Sequence, residues 1–335
     1  MNDQEKTCCH KKKPWYKEPL YLLLILSFSL ILLNYFLNKS GIIILNPFID
    51  KFLGYLGKSW WAILLGILIG GIIQVFVPEK IIANLLARGK GSVFLAVILG
   101  FFASACSHGI LAITVSLYKK GASTASTLAF LLAAPWANLA ITLLLFSFFK
   151  INALFIIFGA LGIALISGLI FEFLEKRGII EGKIKDGQDV KFENYKKNSF
   201  ITNLKYVLEE GLVLAKGVIW WVLLGFLFAS LLGAYLPDKF MQMFFGPNLL
   251  GLFLTLISAS LIEVCSEGSA PLAFELYEKT KAFGNAFVFL QAGVVTDFTE
   301  IGIVTQNIGK KAALAMVLVS TPLVLLTGFF FNKFI

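Results

Sequence analysis

The sequence predicts an all-α polytopic membrane protein, made of two homologous repeats with broken or re-entrant helices and one extra N-terminal helix. Three observations lead there. Of 335 residues, 58% are hydrophobic and 15% charged, with a mean hydropathy of +0.83; soluble domains carry about a quarter charged residues. The apolar residues fall into about nine hydrophobic segments, several of them near the ~20 residues that cross a bilayer. Two of these segments, moreover, hold polar, glycine-containing stretches at their centres, residues 101–109 and 258–271. Ionisable groups at such depth cost several kcal/mol and mark functional sites by default.

In chain order, residues 1–57 form a basic cytoplasmic tail and a first transmembrane helix. Lys6, Lys11, Lys12, Lys13 and Lys17 surround Cys8, Cys9 and His10, and an apolar run follows at 20–37. That run is long and has no small-residue cleavage pattern after it, so an uncleaved helix is expected. Repeat 1 occupies 58–171. Following a connection at 48–58, it has a span at 60–77 and a loop at 78–90. A broken segment at 92–118 comes next, then a run at 123–149 interrupted at Ala134-Pro-Trp-Ala-Asn138, and a Gly-rich span at 151–171. Residues 172–216 read as a charged cytoplasmic linker with Lys176, Arg177, Lys183, Lys185, Lys191, Lys196, Lys197 and Lys205. Repeat 2 occupies 217–335.

The duplication is visible as one fixed offset. Pro78 and Pro237, Cys106 and Cys265, Gly109 and Gly268, and Tyr118 and Tyr277 are all 159 positions apart (237 − 78 = 265 − 106 = 277 − 118 = 159). Trp61 with Trp220, Gly66 with Gly225 and Phe130 with Phe289 keep the same register. Such a gap-free match indicates internal duplication, a common plan among secondary transporters. Counting every run once makes the repeats parallel and puts the Lys-rich linker outside. A re-entrant hairpin in each repeat makes them inverted, with tail and linker both cytoplasmic. Eight basic residues in one short loop favour the inverted arrangement in a cell inner (cytoplasmic) membrane.

The chemistry concentrates at the two broken segments. Apart from the tail, the soft ligands of the chain are Cys106, His108 and Cys265. Thiolates prefer Cu(I), Zn(II) and other thiophilic species, and histidine adds a borderline nitrogen. Under the offset His108 falls on Glu267 and Asn138 on Asp297, so Cys106, His108, Cys265, Glu267 and Asn138 are the candidate cargo pathway. Glu263, Glu267, Asp297 and Glu300 are candidates for proton or charge coupling. Gly109, Gly268, Pro135 and Pro271 are the expected helix-breaking residues. The bland alternative makes the cysteines small packing residues and pairs the acids with buried lysines or amides. Cys8, Cys9 and His10 either capture metal for the pore, from a cytoplasmic donor, or are solvated tail residues.

Other classes find little support. Most of the net charge of +9 lies between apolar runs, where it sets orientation, and no nucleic-acid partner is expected. No Walker A or His-Glu-x-x-His pattern is present, Ser107-His108 is not a triad, and neither an enzyme nor a cofactor is expected.

Four motifs carry a resemblance: Ala105-Cys-Ser-His-Gly109, Leu117-Tyr-Lys-Lys-Gly-Ala122, Ala129-Phe-Leu-Leu-Ala-Ala-Pro135 with Asn138, and Glu263-Val-Cys-Ser-Glu-Gly268. From residue 60 to 331 the chain resembles the predicted permeases that include bacterial organoarsenical efflux permeases and relatives labelled copper/zinc efflux transporters. That resemblance implies efflux by a secondary carrier and arsenical or metal resistance. Family members commonly carry a second cysteine where this chain has His108, a departure that shifts weight toward a transition metal. The expected function is export of a transition metal ion or trivalent arsenical, with that cargo and the lipid bilayer as partners. The rivals are a permease for an organic or anionic solute with structural cysteines, and a non-transporting membrane metal sensor or scaffold.

Overall fold

The computed structural model describes residues 19–76, 92–101, 107–119, 121–137, 139–182, 200–262 and 266–335, and all regular structure among them is helical. The first half contains α1 (Pro19–Lys39), α2 (Asn46–Phe76), α3 (Ser92–Phe101), α4 (Ser107–Lys119), α5 (Thr124–Ala137), α6 (Leu139–Phe149) and α7 (Ala153–Lys176). The second contains α8 (Phe200–Tyr235), α9 (Asp238–Phe245), α10 (Leu249–Ile262), α11 (Ser266–Thr280), α12 (Phe283–Val295), α13 (Phe298–Asn307) and α14 (Lys310–Phe334).

Two boundaries differ from the sequence reading. Residues 48–58, expected to be a connection, belong to α2. Pro47 sits in the first turn, where no intrahelical N–H is needed, and Phe48, Phe52 and Tyr55 form a buried stripe at helical spacing. Residues 200–216, expected in the linker, begin α8.

Among the described residues, six stretches are long and apolar enough to cross a membrane, or up to seven if the bent pair α9 and α10 forms one span. The nine expected segments exceed this because the broken ones divide into helices of 10 to 15 residues. At 1.5 Å per residue these reach only about 15–23 Å, less than the ~30 Å hydrocarbon core. α1 buries only 6% of its apolar window, so its remaining surface is left for lipid. The chain is therefore a multi-pass, all-helical membrane protein.

The helices keep the sequence offset. α4 and α11, α5 and α12, and α6 and α13 begin 159 positions apart (266 − 107 = 283 − 124 = 298 − 139 = 159). Their packing is reciprocal: α4 lies against α13, and α6 against α11. Equivalent partners also meet directly, α2 with α8, α5 with α12, and α7 with α14.

Hydrogen bonds fix which helix ends lie together. Glu181, just after α7, accepts from the amides of Lys311 (3.1 Å) and Ala312 (2.7 Å), satisfying the first turn of α14. The Glu181 carbonyl accepts from Thr124 at the start of α5, and the Gly182 carbonyl from Tyr118 near the end of α4. We call this the linker end. At the other end of α14, about 37 Å away along a 25-residue helix, Asn332 bonds Gly284 and Asn285 at the start of α12. Asn285 also donates to the carbonyls of Phe245 and Gly246, just before α10. Lys279, near the end of α11, bonds the Leu236 carbonyl and Asp238. Thus α4 ends at the linker end, whereas its counterpart α11 ends at the opposite end.

α6 and α7 form one apolar stretch, residues 141–176, but the chain turns between them. Lys150 has φ 53°, outside the helical region. Phe149 meets Phe283, and Phe155 meets Phe331, so both sides of the turn lie at the opposite end.

Candidate functional site

Four of the short helices have their N-termini within the apolar runs. α4 starts at Ser107 and α11 at Ser266, after residues 102–106 and 263–265; α6 starts at Leu139 and α13 at Phe298, after Asn138 and Asp297. Each N-terminus exposes amide groups and partial positive charge. Asp297 shows how one of them is satisfied. With an extended backbone (φ −64°, ψ 128°), it caps α13, its carboxylate accepting from Thr299 N at 2.7 Å and Glu300 N at 3.3 Å. Asn138 at the equivalent break lies outside the described residues.

The four expected helix-breakers lie inside helices instead. Gly109 is the third residue of α4, Gly268 and Pro271 lie within α11, and Pro135 lies within α5. Proline within a helix removes one i to i−4 bond, so Pro271 frees the carbonyl of Glu267. Gly268 has a different task. A Cβ on Gly225 of α8 would lie 2.9 Å from Gly268 Cα and 2.9 Å from Pro271 Cγ, so α8 and α11 cross in near backbone contact. The repeated glycine Gly225 marks that crossing.

The ends of α10 and α12 are tied together. Ser260, near the end of α10, shares a 2.5 Å hydrogen bond with Thr296, beside Asp297. Residue 263 lies only three positions further along the chain. Glu267 stands in the first turn of α11, 2% exposed, accepting from Ser266 Oγ at 3.1 Å. Asp297 and Glu300 are 5% and 2% exposed. Glu300 Oε2 has no hydrogen-bond partner among the described residues. A buried carboxylate oxygen without a partner is one that a proton or a cation has to satisfy.

Cys106, Cys265, Glu263 and Cys8-Cys9-His10 lie outside the described residues, as does the side chain of His108. Among the described residues, no three His, Cys, Asp or Glu side chains gather into a metal centre.

Sequence reasoning passed over three buried polar side chains. Trp136 Nε1 on α5 and Gln291 Nε2 on α12 have no hydrogen-bond partner among the described residues. Glu275 on α11 pairs with Lys51 at 2.9 Å and accepts from the Tyr55 hydroxyl. Glu275 was findable as an acid within the apolar run 249–277; Trp136 and Gln291 carry no comparable signal. At the surface, Lys279 holds the Asp238 carboxyl below its ordinary range through a direct bond and charge attraction.

The family model described as "Predicted permease" (ArsP_1) matches residues 44–333. The UPF0718 protein YcgR of Bacillus subtilis (strain 168) is 27% identical over 250 residues, covering 71% of this chain and 81% of that protein. The "Putative two-component membrane permease complex subunit" of Streptococcus mutans is 23% identical over 281 residues, covering 82% and 91%. No solved structure matches significantly. The match takes in both sets of broken helices and leaves out little beyond the tail and α1, so the chain belongs to the predicted-permease family.

Proposed function

We propose that this protein is a secondary-active permease that exports a thiophilic metal or metalloid through a site between two inverted repeats. The carrying observation is the Ser260–Thr296 bond, which ties the end of α10 to the residue before Asp297. Cys106, Cys265 and His108 bind the cargo, with Asn138 beside them. Glu263, Glu267, Asp297 and Glu300 carry protons or balance its charge. Tail residues Cys8, Cys9 and His10 deliver metal from a cytoplasmic donor. The relative named as a complex subunit makes a second subunit a further candidate partner.

The inverted arrangement is supported by the helix ends. α3 with α4 and α10 with α11 are then re-entrant hairpins entering from opposite faces. Seven crossings remain: α1, α2, α5 with α6, α7, α8, α12 with α13, and α14. Tail and linker share the linker end, where Lys176, Arg177, Lys310 and Lys311 also lie, so that end is cytoplasmic by the positive-inside rule.

The test is flux into proteoliposomes holding the full chain, with Cu(I), Zn(II) and trivalent methylarsenite offered in turn, with and without a pH gradient. Saturable flux of one species, lost in Cys106→Ser/Cys265→Ser, is expected. Flux retained in that variant removes the thiol role. The four interior helix N-termini favour one second reading, a permease for an anionic solute. Competition by organic anions, with no metal flux, selects it.

A further inference from the structure

A solvent-open cavity of about 430 Å³ lies between the start of α2 and the end of α11, at the end opposite the linker. Its walls carry Asp50, Lys58 and Glu278. Its floor is the cluster in which Glu275 bonds Lys51 and Tyr55, next to Phe274. Beneath Tyr55 the rings close up. Its ring centroid lies 6.0 Å from that of Phe148 and 5.9 Å from that of Phe226, and Phe148 stacks on Phe274 at 5.2 Å. All four are buried. Glu275 stands eight residues beyond Glu267 on α11, about 12 Å along the axis. The cluster thus lies between the solvent-open cavity and the buried carboxylates.

We propose that Lys51, Tyr55 and Glu275 form an outer gate, which holds α11 against α2 and closes the vestibule from the central site. The proposal rests on the permease reading above and deepens it. Two features mark the cluster as built for a purpose beyond the fold. First, α8 makes room for it: a Cβ at Gly233 would lie 2.7 Å from the Glu275 carboxyl carbon. Second, it exists in one repeat only. At the 159-residue offset Glu275 falls on Ser116, Lys51 on Glu210, Tyr55 on Leu214, Phe274 on Val115 and Phe148 on Asn307. A contact needed merely to build the repeat would recur in both. The Lys51 side chain is 40% exposed while that of Glu275 is 1% exposed. Water therefore reaches the lysine, and opening must bring water to the Glu275 carboxylate as well, since a buried charge left without a partner is costly.

The test needs no cargo. A reporter Ser269→Cys, between Glu267 and Glu275 on α11, is placed in the full chain with the four native cysteines changed to Ala. A membrane-impermeant thiol reagent is added from the outer face of right-side-out vesicles. Glu275→Gln and Tyr55→Phe are expected to speed labelling about tenfold, the size of a modest population shift. The exchange Lys51→Glu/Glu275→Lys is expected to slow it again. Unchanged labelling in both single variants overturns the gate. If Glu275→Gln does not fold, Tyr55→Phe decides alone, since it keeps the ring packing. Faster labelling without metal flux in the wild type keeps the gate and refutes the exporter.

Discussion

The crossing of α8 over α11 supports a prediction worked from distances. Replacing Gly225 by Ala puts a methyl group 2.9 Å from Gly268 Cα and in contact with the Gly268 carbonyl oxygen. Both atoms are backbone, so relief requires moving α11 itself, and with it Glu267 and Glu275. Overpacking of this kind costs about 1–3 kcal/mol. The gain in helix propensity from Gly to Ala, about 1 kcal/mol, offsets only part of that. Gly162 on α7 and Gly54 on α2 are the controls, because a Cβ at either meets nothing within 4 Å. Gly162→Ala and Gly54→Ala are expected to be neutral or slightly stabilising. Thermal unfolding of purified protein in one detergent compares them directly. Gly225→Ala should melt about 2–6 °C lower than the two controls. Should it melt with the controls, the close approach of α8 and α11 is wrong, and so is the placement of Glu267 and Glu275 built on it.

Asp297→Ala removes the cap of α13 and should cost about 1–2 kcal/mol in thermal stability, whereas Asp297→Asn keeps an acceptor and should melt near wild type; equal losses in both refute the capping role. If Asp297 also carries charge during transport, Asp297→Asn loses flux while keeping its melting temperature. Gly284→Ala would push a methyl group into the Gly328 carbonyl of α14, 2.7 Å from its carbon, and should destabilise the α12–α14 pair as Gly225→Ala does its own crossing. The folded-state pKa of Asp238 is depressed by Lys279, so its contribution is complete above the ordinary aspartate pKa of 3.8 and is lost as pH falls through the lower folded value. Melting of Asp238→Asn should therefore differ from wild type at neutral pH and converge with it as pH falls below the folded value.

Much of the architecture follows from local chemistry. The apolar runs specify helices because hydrocarbon leaves backbone amides no other partner. The 159-residue offset is a property of the string, and the helix starts at 107 and 266, 124 and 283, and 139 and 298 keep it. Asp297 stood out in the sequence as an acid in an apolar run, but its capping of α13 is visible only in the structure. The expected helix-breakers were less well read. Pro271 and Gly268 were taken as interruptions because both weaken a helix in isolation. In the fold Gly268 gives the room for a helix crossing, and packing on α8 carries Pro271 within α11.

What only the tertiary structure decided is which ends meet. Hydropathy reports how long a segment is and not where it turns, so parallel and inverted repeats share one profile. Long-range hydrogen bonds report which ends meet: Thr124 with Glu181 at one end, and Asn285 with Asn332 at the other. The same holds for Lys51, Tyr55 and Glu275, which lie 220 or more positions apart on either side of the cluster. Glu275 is one acid among several in the sequence. Only the packing of α2, α8 and α11 desolvates it, brings it a lysine and a hydroxyl, and sets it between a vestibule and the interior.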